Sequence, residues 1–257
     1  MSIRNKIVCY ILILIWVIML VIEIAKIDNT NKKPEQEPQV IIKEVEVEKD
    51  PITIFVERDE MDFSKYEKVM LKVNNVEQNP ELPTGCEVTA LTTVLNYLGY
   101  GVDKLTMADT FLPKGEIGKV TPDEAFIGNP RSKYAYGANA PVLVKTANDY
   151  LATRKSKYVA YNKTGTEFED LLKYINDGYP VMVWETINLV KTRPTTKWVI
   201  DNKEVQWLAN LHCMVLIGYT EDTYIMADPL KQGIVEYDKD LVEQRYNELG
   251  KQAIVIY

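Results

Sequence analysis

Apolar and polar positions along this chain follow two periods, and the change from one to the other sets the order of its elements. After Cys86, apolar residues recur at Val88, Leu91, Val94, Leu95 and Leu98, the spacing of a helix. Pro83 and Gly85 break regular structure just before it, Thr84 is a candidate cap, and Gly99 and Gly101 offer a stop. Cys86 therefore stands in or beside the first turn. Residues 142–152 predict a short second helix. Thr166-Glu167-Phe168-Glu169 opens a third, with Phe168, Leu171, Leu172 and Ile175 as its apolar positions and Asp177-Gly178 as its end. Beyond Pro180 the pattern becomes that of strands. Residues 181–184 are a continuous apolar run. Residues 197–200 and 204–207 flank a polar turn and predict a hairpin. Residues 211–219 form the strongest strand signal, and Thr220-Glu221-Asp222 turns it into residues 223–229. Residues 234–237 and 253–257 add two strands around a helix over 239–249. A further strand near Val69 ends in a polar turn before Cys86. Helices come first and strands later, an α+β pattern. Residues 104–141 are punctuated by Gly, Pro and Asn, too irregular for a packed core element, and read as a functional or mobile loop.

The N-terminus follows a different pattern. Residues 7–22 carry no charge and would span about 24 Å as a helix, against a hydrocarbon core of about 30 Å. Ala25 and the aliphatics around Glu23 extend the run. No small-x-small cleavage site or lipobox is present, so an uncleaved anchor is expected. Arg4 and Lys6 precede the run and keep the N-terminus cytoplasmic. Residues 1–26 are thus assigned as a transmembrane anchor and 27–68 as an extracytoplasmic stalk. Residues 69–257 form the folded domain. Within the stalk, residues 27–39 are polar and Pro-containing. Residues 44–56 alternate as a β-ribbon or an extended spacer.

Composition narrows the function. The chain has 257 residues, 46% of them hydrophobic, and a formal net charge of −7. That balance argues against a nucleic-acid partner, because phosphate neutralisation needs clustered Lys and Arg. With one histidine and three cysteines, neither a zinc centre nor a disulfide scaffold is expected. No cofactor is implied, and the thiols of the body are expected to be free.

The chemistry gathers on a few side chains. Cys86 at a helix N-terminus feels the positive end of the helix dipole, which favours thiolate. A thiolate with an imidazole nearby is a nucleophile, and His212 is the one histidine. Asp228, at the end of the strand following that of His212, would lie at the same end of an antiparallel pair and could orient the ring. An amide donor for an oxyanion is sought upstream in Gln78, with Asn79 and Gln206 as alternatives and the Cys86 N–H as a second donor. Cys213 alternates to the strand face opposite His212 and reads as core. Trp184, Trp198 and Trp207 line a cleft or simply pack. Glu87 and Glu185 read as caps or polar contacts.

The strings ELPTGCEVTALTTVLNYLGY, GYPVMVWETINL and LHCMVLIGYTEDTYIMADPL resemble the C39-like peptidase family, over roughly residues 70 to 257. The resemblance implies a papain-like cysteine peptidase fold, with N-terminal helices packed on a mostly antiparallel sheet. It also implies Cys86 as nucleophile, His212 as base, Asp228 as its orienting carboxylate and Gln78 as oxyanion donor. The expected activity is that of a membrane-anchored extracytoplasmic cysteine peptidase or amidase, acting on a peptide or cell-envelope amide. Two rivals share the fold. One is a catalytically silent module in which residues 104–141 bind peptide or glycan, and the other is a transferase using the same acyl-enzyme.

Overall fold

The computed structural model describes residues 68–257. The anchor expected at 1–26 and, but for Lys68, the stalk expected at 27–68 lie outside the described residues. Among the described residues no helix is long and apolar enough to cross a membrane.

In chain order the elements are β1 (Lys68–Met70), α1 (Cys86–Tyr97), a helical turn Lys104–Thr106 running into a π-helical turn Met107–Phe111, β2 (Lys114–Gly115) and β3 (Phe126–Ile127). Then come α2 (Ala140–Thr153), β4 (Ala160–Asn162), α3 (Phe168–Asn176) and β5 (Val181–Thr186). The hairpin β6 (Pro194–Ile200) and β7 (Lys203–Leu208) follows. The chain finishes with β8 (Leu211–Thr220), β9 (Thr223–Ala227), β10 (Ile234–Asp238), α4 (Lys239–Glu248) and β11 (Ala253–Ile256).

Seven strands form one sheet in the order β10-β9-β8-β5-β11-β4, with β1 paired to β8. Every pairing within it is antiparallel, where the resemblance implied a mostly antiparallel sheet. Consecutive residues of β5 and β8 are buried, although their side chains alternate in direction. The sheet is therefore covered on both faces, and this is why these strands read as unbroken apolar runs. Helix α1 packs on β8 and β5, while α4 packs on β5, β9 and β10.

Helix α1 is more deeply buried than its spacing suggested. Every residue from Cys86 to Leu95 is buried, including Thr89, Thr92 and Thr93. The threonine hydroxyls are satisfied by backbone: Thr89 donates to Gly85 O at 2.7 Å and Thr92 to Val88 O at 2.8 Å within the helix, and Thr93 accepts from Val76 N of the preceding segment at 3.2 Å. Polar side chains that close on the backbone of the preceding turn can enter a core.

Two sequence expectations need correction, and one strand was not anticipated. Thr84 does not cap α1: Gly85 holds the N-cap position, and the Thr84 hydroxyl donates to Ser132 O at 2.8 Å. Residues 104–141, expected to be too irregular for a packed core element, do supply the core. They place Met107, Ala108, Leu112, Phe126 and Ala138 in the main core. Their apolar residues arrive singly between turns, so no period announces them, and short ladders such as Ile127 N–H to Gly137 O, 2.8 Å, satisfy the backbone. Finally, β4 gives no sequence signal, because three residues are too few to show alternation. Trp198, Trp207 and Ile127 form a smaller second cluster. There Tyr136 meets Trp207 edge-on, with ring centroids 5.4 Å apart.

Candidate active site

Cys86 is the first residue of α1. Pro83 and Gly85 let the chain turn there, and Gly85 lies so close to Leu82 that a Cβ on it would fall 2.8 Å from the Leu82 Cβ. His212 is the second residue of β8, and Asp228 follows the last residue of β9. Because β8 and β9 are antiparallel, these two positions meet at one end of the sheet. His212 Nε2 lies 2.7 Å from Asp228 Oδ1.

Asp228 is held from several sides. Its Oδ1 also accepts from Leu230 N at 2.8 Å, and its Oδ2 accepts from the Tyr237 hydroxyl at 2.7 Å. Asn75 Nδ2 fixes the backbone by donating to Asp228 O at 2.7 Å and Lys231 O at 2.8 Å. Burial pushes the Asp228 carboxyl up, yet the hydrogen bonds from His212, Leu230 and Tyr237 prevail and hold it below its ordinary value. A carboxylate at Nε2 fixes the hydrogen of a neutral imidazole on that nitrogen and leaves Nδ1 with a lone pair.

The sulfur of Cys86 lies beside the strand that carries His212, where the backbone amide of Cys213 pulls the thiol pKa down. Its own proton goes elsewhere, since Cys86 Sγ donates to Glu87 Oε2 at 3.3 Å. The expectation of a helix-activated thiolate is therefore opposed. Burial, then the nearby Glu87 carboxyl, push the Cys86 thiol well above its ordinary value. The group is closed off from water, with Cys86 7% exposed, Gln78 2%, His212 1% and Asp228 1%.

Gln78 joins the cluster. Its backbone N–H donates to Pro229 O at 2.9 Å, and its Nε2 donates to Pro83 O at 2.9 Å and Leu82 O at 3.2 Å. It thus ties the segment leading to Cys86 onto the segment leaving Asp228. The alternatives lie elsewhere: Asn79 is exposed, and Gln206 Nε2 is engaged by Thr196 O and Trp207 O within the hairpin. Cys213 is fully buried core, as expected. Trp184 is core too, its Nε1 donating to Ala138 O at 3.0 Å, and Trp198 and Trp207 pack in the second cluster.

The chain from residue 70 to 254 matches the Peptidase_C39 like family. The chain belongs to this family. A crystal structure of a candidate C39-like peptidase from Bacillus anthracis is 33% identical, covers 74% of this chain and 98% of its own, and superposes with a TM-score of 0.67. Uncharacterized protein YvpB of Bacillus subtilis is 27% identical over 181 residues, 69% of this chain and 70% of its own.

Within this C39-like domain, several contributors to the site carried no usable signal in the sequence. Tyr237 and Asn75 reach Asp228 through tertiary contacts alone. Glu87 was visible only as a polar neighbour of Cys86. Glu185 pairs directly with His212 across β5 and β8. Both its carboxyl oxygens are buried without a hydrogen-bond partner. Burial pushes its carboxyl well up, against a weaker pull from Arg245. Among the described residues no cluster of His, Cys, Asp and Glu could hold a metal ion.

Proposed function

We propose that this chain is a cysteine peptidase or amidase that cleaves peptide or cell-envelope amide bonds through Cys86, His212, Asp228 and Gln78. The observation that carries the reading is the buried His212–Asp228 hydrogen bond of 2.7 Å, set beside a helix that begins at a cysteine. Membership of the C39-like family supports it.

In this scheme the Cys86 thiol passes its proton to His212 Nδ1, and the sulfur attacks the carbonyl carbon of the amide. Asp228 stabilises the imidazolium and keeps the ring in register. The Cys86 N–H and Gln78 receive the oxyanion, Gln78 exchanging its longer bond, 3.2 Å to Leu82 O, for the substrate oxygen. His212 then protonates the leaving amine, and water releases the acyl group. Residues 1–26 hold the domain at a membrane, with residues 69–257 on its outer side.

Two measurements test this. Cleavage of a peptide library should fall by about 10³-fold or more in Cys86→Ala and His212→Ala, and by about 10²- to 10⁴-fold in Asp228→Asn. Undiminished cleavage by Cys86→Ala would sink the proposal. Full-length protein should resist carbonate extraction from membranes, and release would remove the anchor.

The second reading, a catalytically silent binding module, draws on the raised thiol pKa and the burial of Cys86. It is favoured if the wild-type protein binds a library peptide without turnover and Cys86→Ala binds it equally.

A further inference from the structure

Glu87 follows Cys86 in the chain and touches it in space. The residue is 1% exposed. Its Oε1 accepts from Ala138 N at 2.9 Å, and its Oε2 accepts from Cys86 Sγ at 3.3 Å. Space around it is tight: a Cβ on Gly137 would lie 2.3 Å from Oε1 and 3.3 Å from Trp207 Cη2. Gly137 also has a φ of +143°, which side chains other than glycine's rarely adopt. Glycine is required here because the carboxyl and the Trp207 ring already occupy the volume. The groups facing Glu87 are Cys86 from α1, Cys213 from β8, its own backbone amide, and Gly137 with the Ala138 amide from the segment before α2. None of these carries positive charge.

Two influences therefore compete at one sulfur. The helix N-terminus and the Cys213 amide favour thiolate. The Glu87 carboxyl favours thiol twice over, by accepting the S–H hydrogen and by repelling a second negative charge.

We propose that Glu87 is a positioning residue that latches Cys86 as a neutral thiol, its proton directed to Glu87 and withheld from His212 until substrate enters. The inference rests on Cys86 being the nucleophile. Release of the latch is an exchange of partners. The S–H hydrogen leaves Oε2 for His212 Nδ1, the S–H bond breaks as the N–H bond forms, and the electron pair stays on sulfur. Glu87 keeps its charge state and its bond to Ala138. A buried carboxyl facing no cation is a weakly held partner: burial pushes Glu87 up to about 7. Near neutrality it thus sits between neutral and charged, and its repulsion of a thiolate weakens as pH falls.

The test is the pH dependence of iodoacetamide alkylation at Cys86 in the full-length chain. Glu87→Gln keeps an oxygen for the Ala138 amide but turns a donor toward the sulfur. It should alkylate about tenfold faster at neutral pH, the equivalent of one pKa unit, at a melting temperature unchanged at about pH 5, below the folded-state value of Glu87. A purely structural role for Glu87 would move the melting temperature and not the alkylation profile. A profile that superimposes on wild type, or shifts the other way, overturns the latch. If Glu87→Gln does not fold, carbon-13 NMR of the Glu87 carboxyl decides. Loss of the thiol donor in Cys86→Ala should raise the Glu87 pKa, and an unmoved titration overturns the proposal. Failure of the latch reads out in thiol reactivity, whereas failure of the peptidase assignment reads out in turnover by Cys86→Ala. The two are therefore separable.

Discussion

At the scale of single residues, Asp228 shows how an acid is kept ionised inside a protein. Burial alone would raise its pKa, and the donors around it reverse that direction. Tyr237 is the donor whose loss isolates this effect, because its hydroxyl meets Oδ2 and leaves the His212 bond at Oδ1 untouched. Tyr237→Phe should cost about 1 kcal/mol of stability. It should also raise the Asp228 pKa, moving the acid limb of the pH–rate profile to higher pH. Urea unfolding and the rate profile check the two parts, and an unmoved acid limb would show that Tyr237 does not tune Asp228. Cys86, His212 and Asp228 were legible because each stands at the edge of a strongly patterned element. Tyr237 was not legible: its strand alternation states that it faces a partner, and only the folded sheet states which.

At the scale of elements, sequence pattern succeeded where an element is long and has a consistent environment. Helix α3 shows its apolar stripe at Phe168, Leu171 and Ile175, which are its buried residues. The hairpin and strand β8 formed where the runs of β-rich residues placed them. The pattern failed for residues 104–141, where single apolar side chains drop into the core from turns. Helix α1 lies between these cases: its stripe was visible, but its burial on all sides was not, since threonines satisfied by backbone look polar in sequence. Leu91 is fully buried on this helix. Leu91→Ala should cost about 2–5 kcal/mol, the range for emptying a close-packed site. Because α1 begins at Cys86, looser seating should also slow turnover. Thermal unfolding together with turnover of the folded variant checks both, and a loss under 1 kcal/mol would show that the core at Leu91 collapses around the gap.

At the scale of the whole molecule, buried carboxyls set how stability responds to pH, and their signs oppose. Asp228 has a lowered pKa in the fold. Its contribution is present above its unfolded value and is lost as pH falls through the folded one. Glu87 is raised from 4.5 to about 7, and Glu185 is raised well above 4.5. Each binds its proton more tightly in the folded state, so stability declines as pH rises from the unfolded carboxyl value toward the folded one. The melting temperature should therefore peak at about pH 5 and fall toward pH 8, with Glu87→Gln flattening the part of the fall that ends near neutrality. A melting temperature that rises steadily from pH 5 to pH 8 would contradict these burial effects.

What the sequence determined by itself is the succession of helices and strands and the short list of reactive side chains, because period, turn residues and the rarity of histidine are local properties of the chain. The tertiary structure decided the rest. Only the antiparallel closing of β8 on β9 sets Asp228 against His212, and only the seating of α1 against β8 brings the Cys213 amide to the Cys86 sulfur. Whether that sulfur rests as thiol or thiolate depends on burial and on the direction of one neighbouring carboxyl. Those quantities arise when distant segments exclude water together, and no local stretch of sequence contains them.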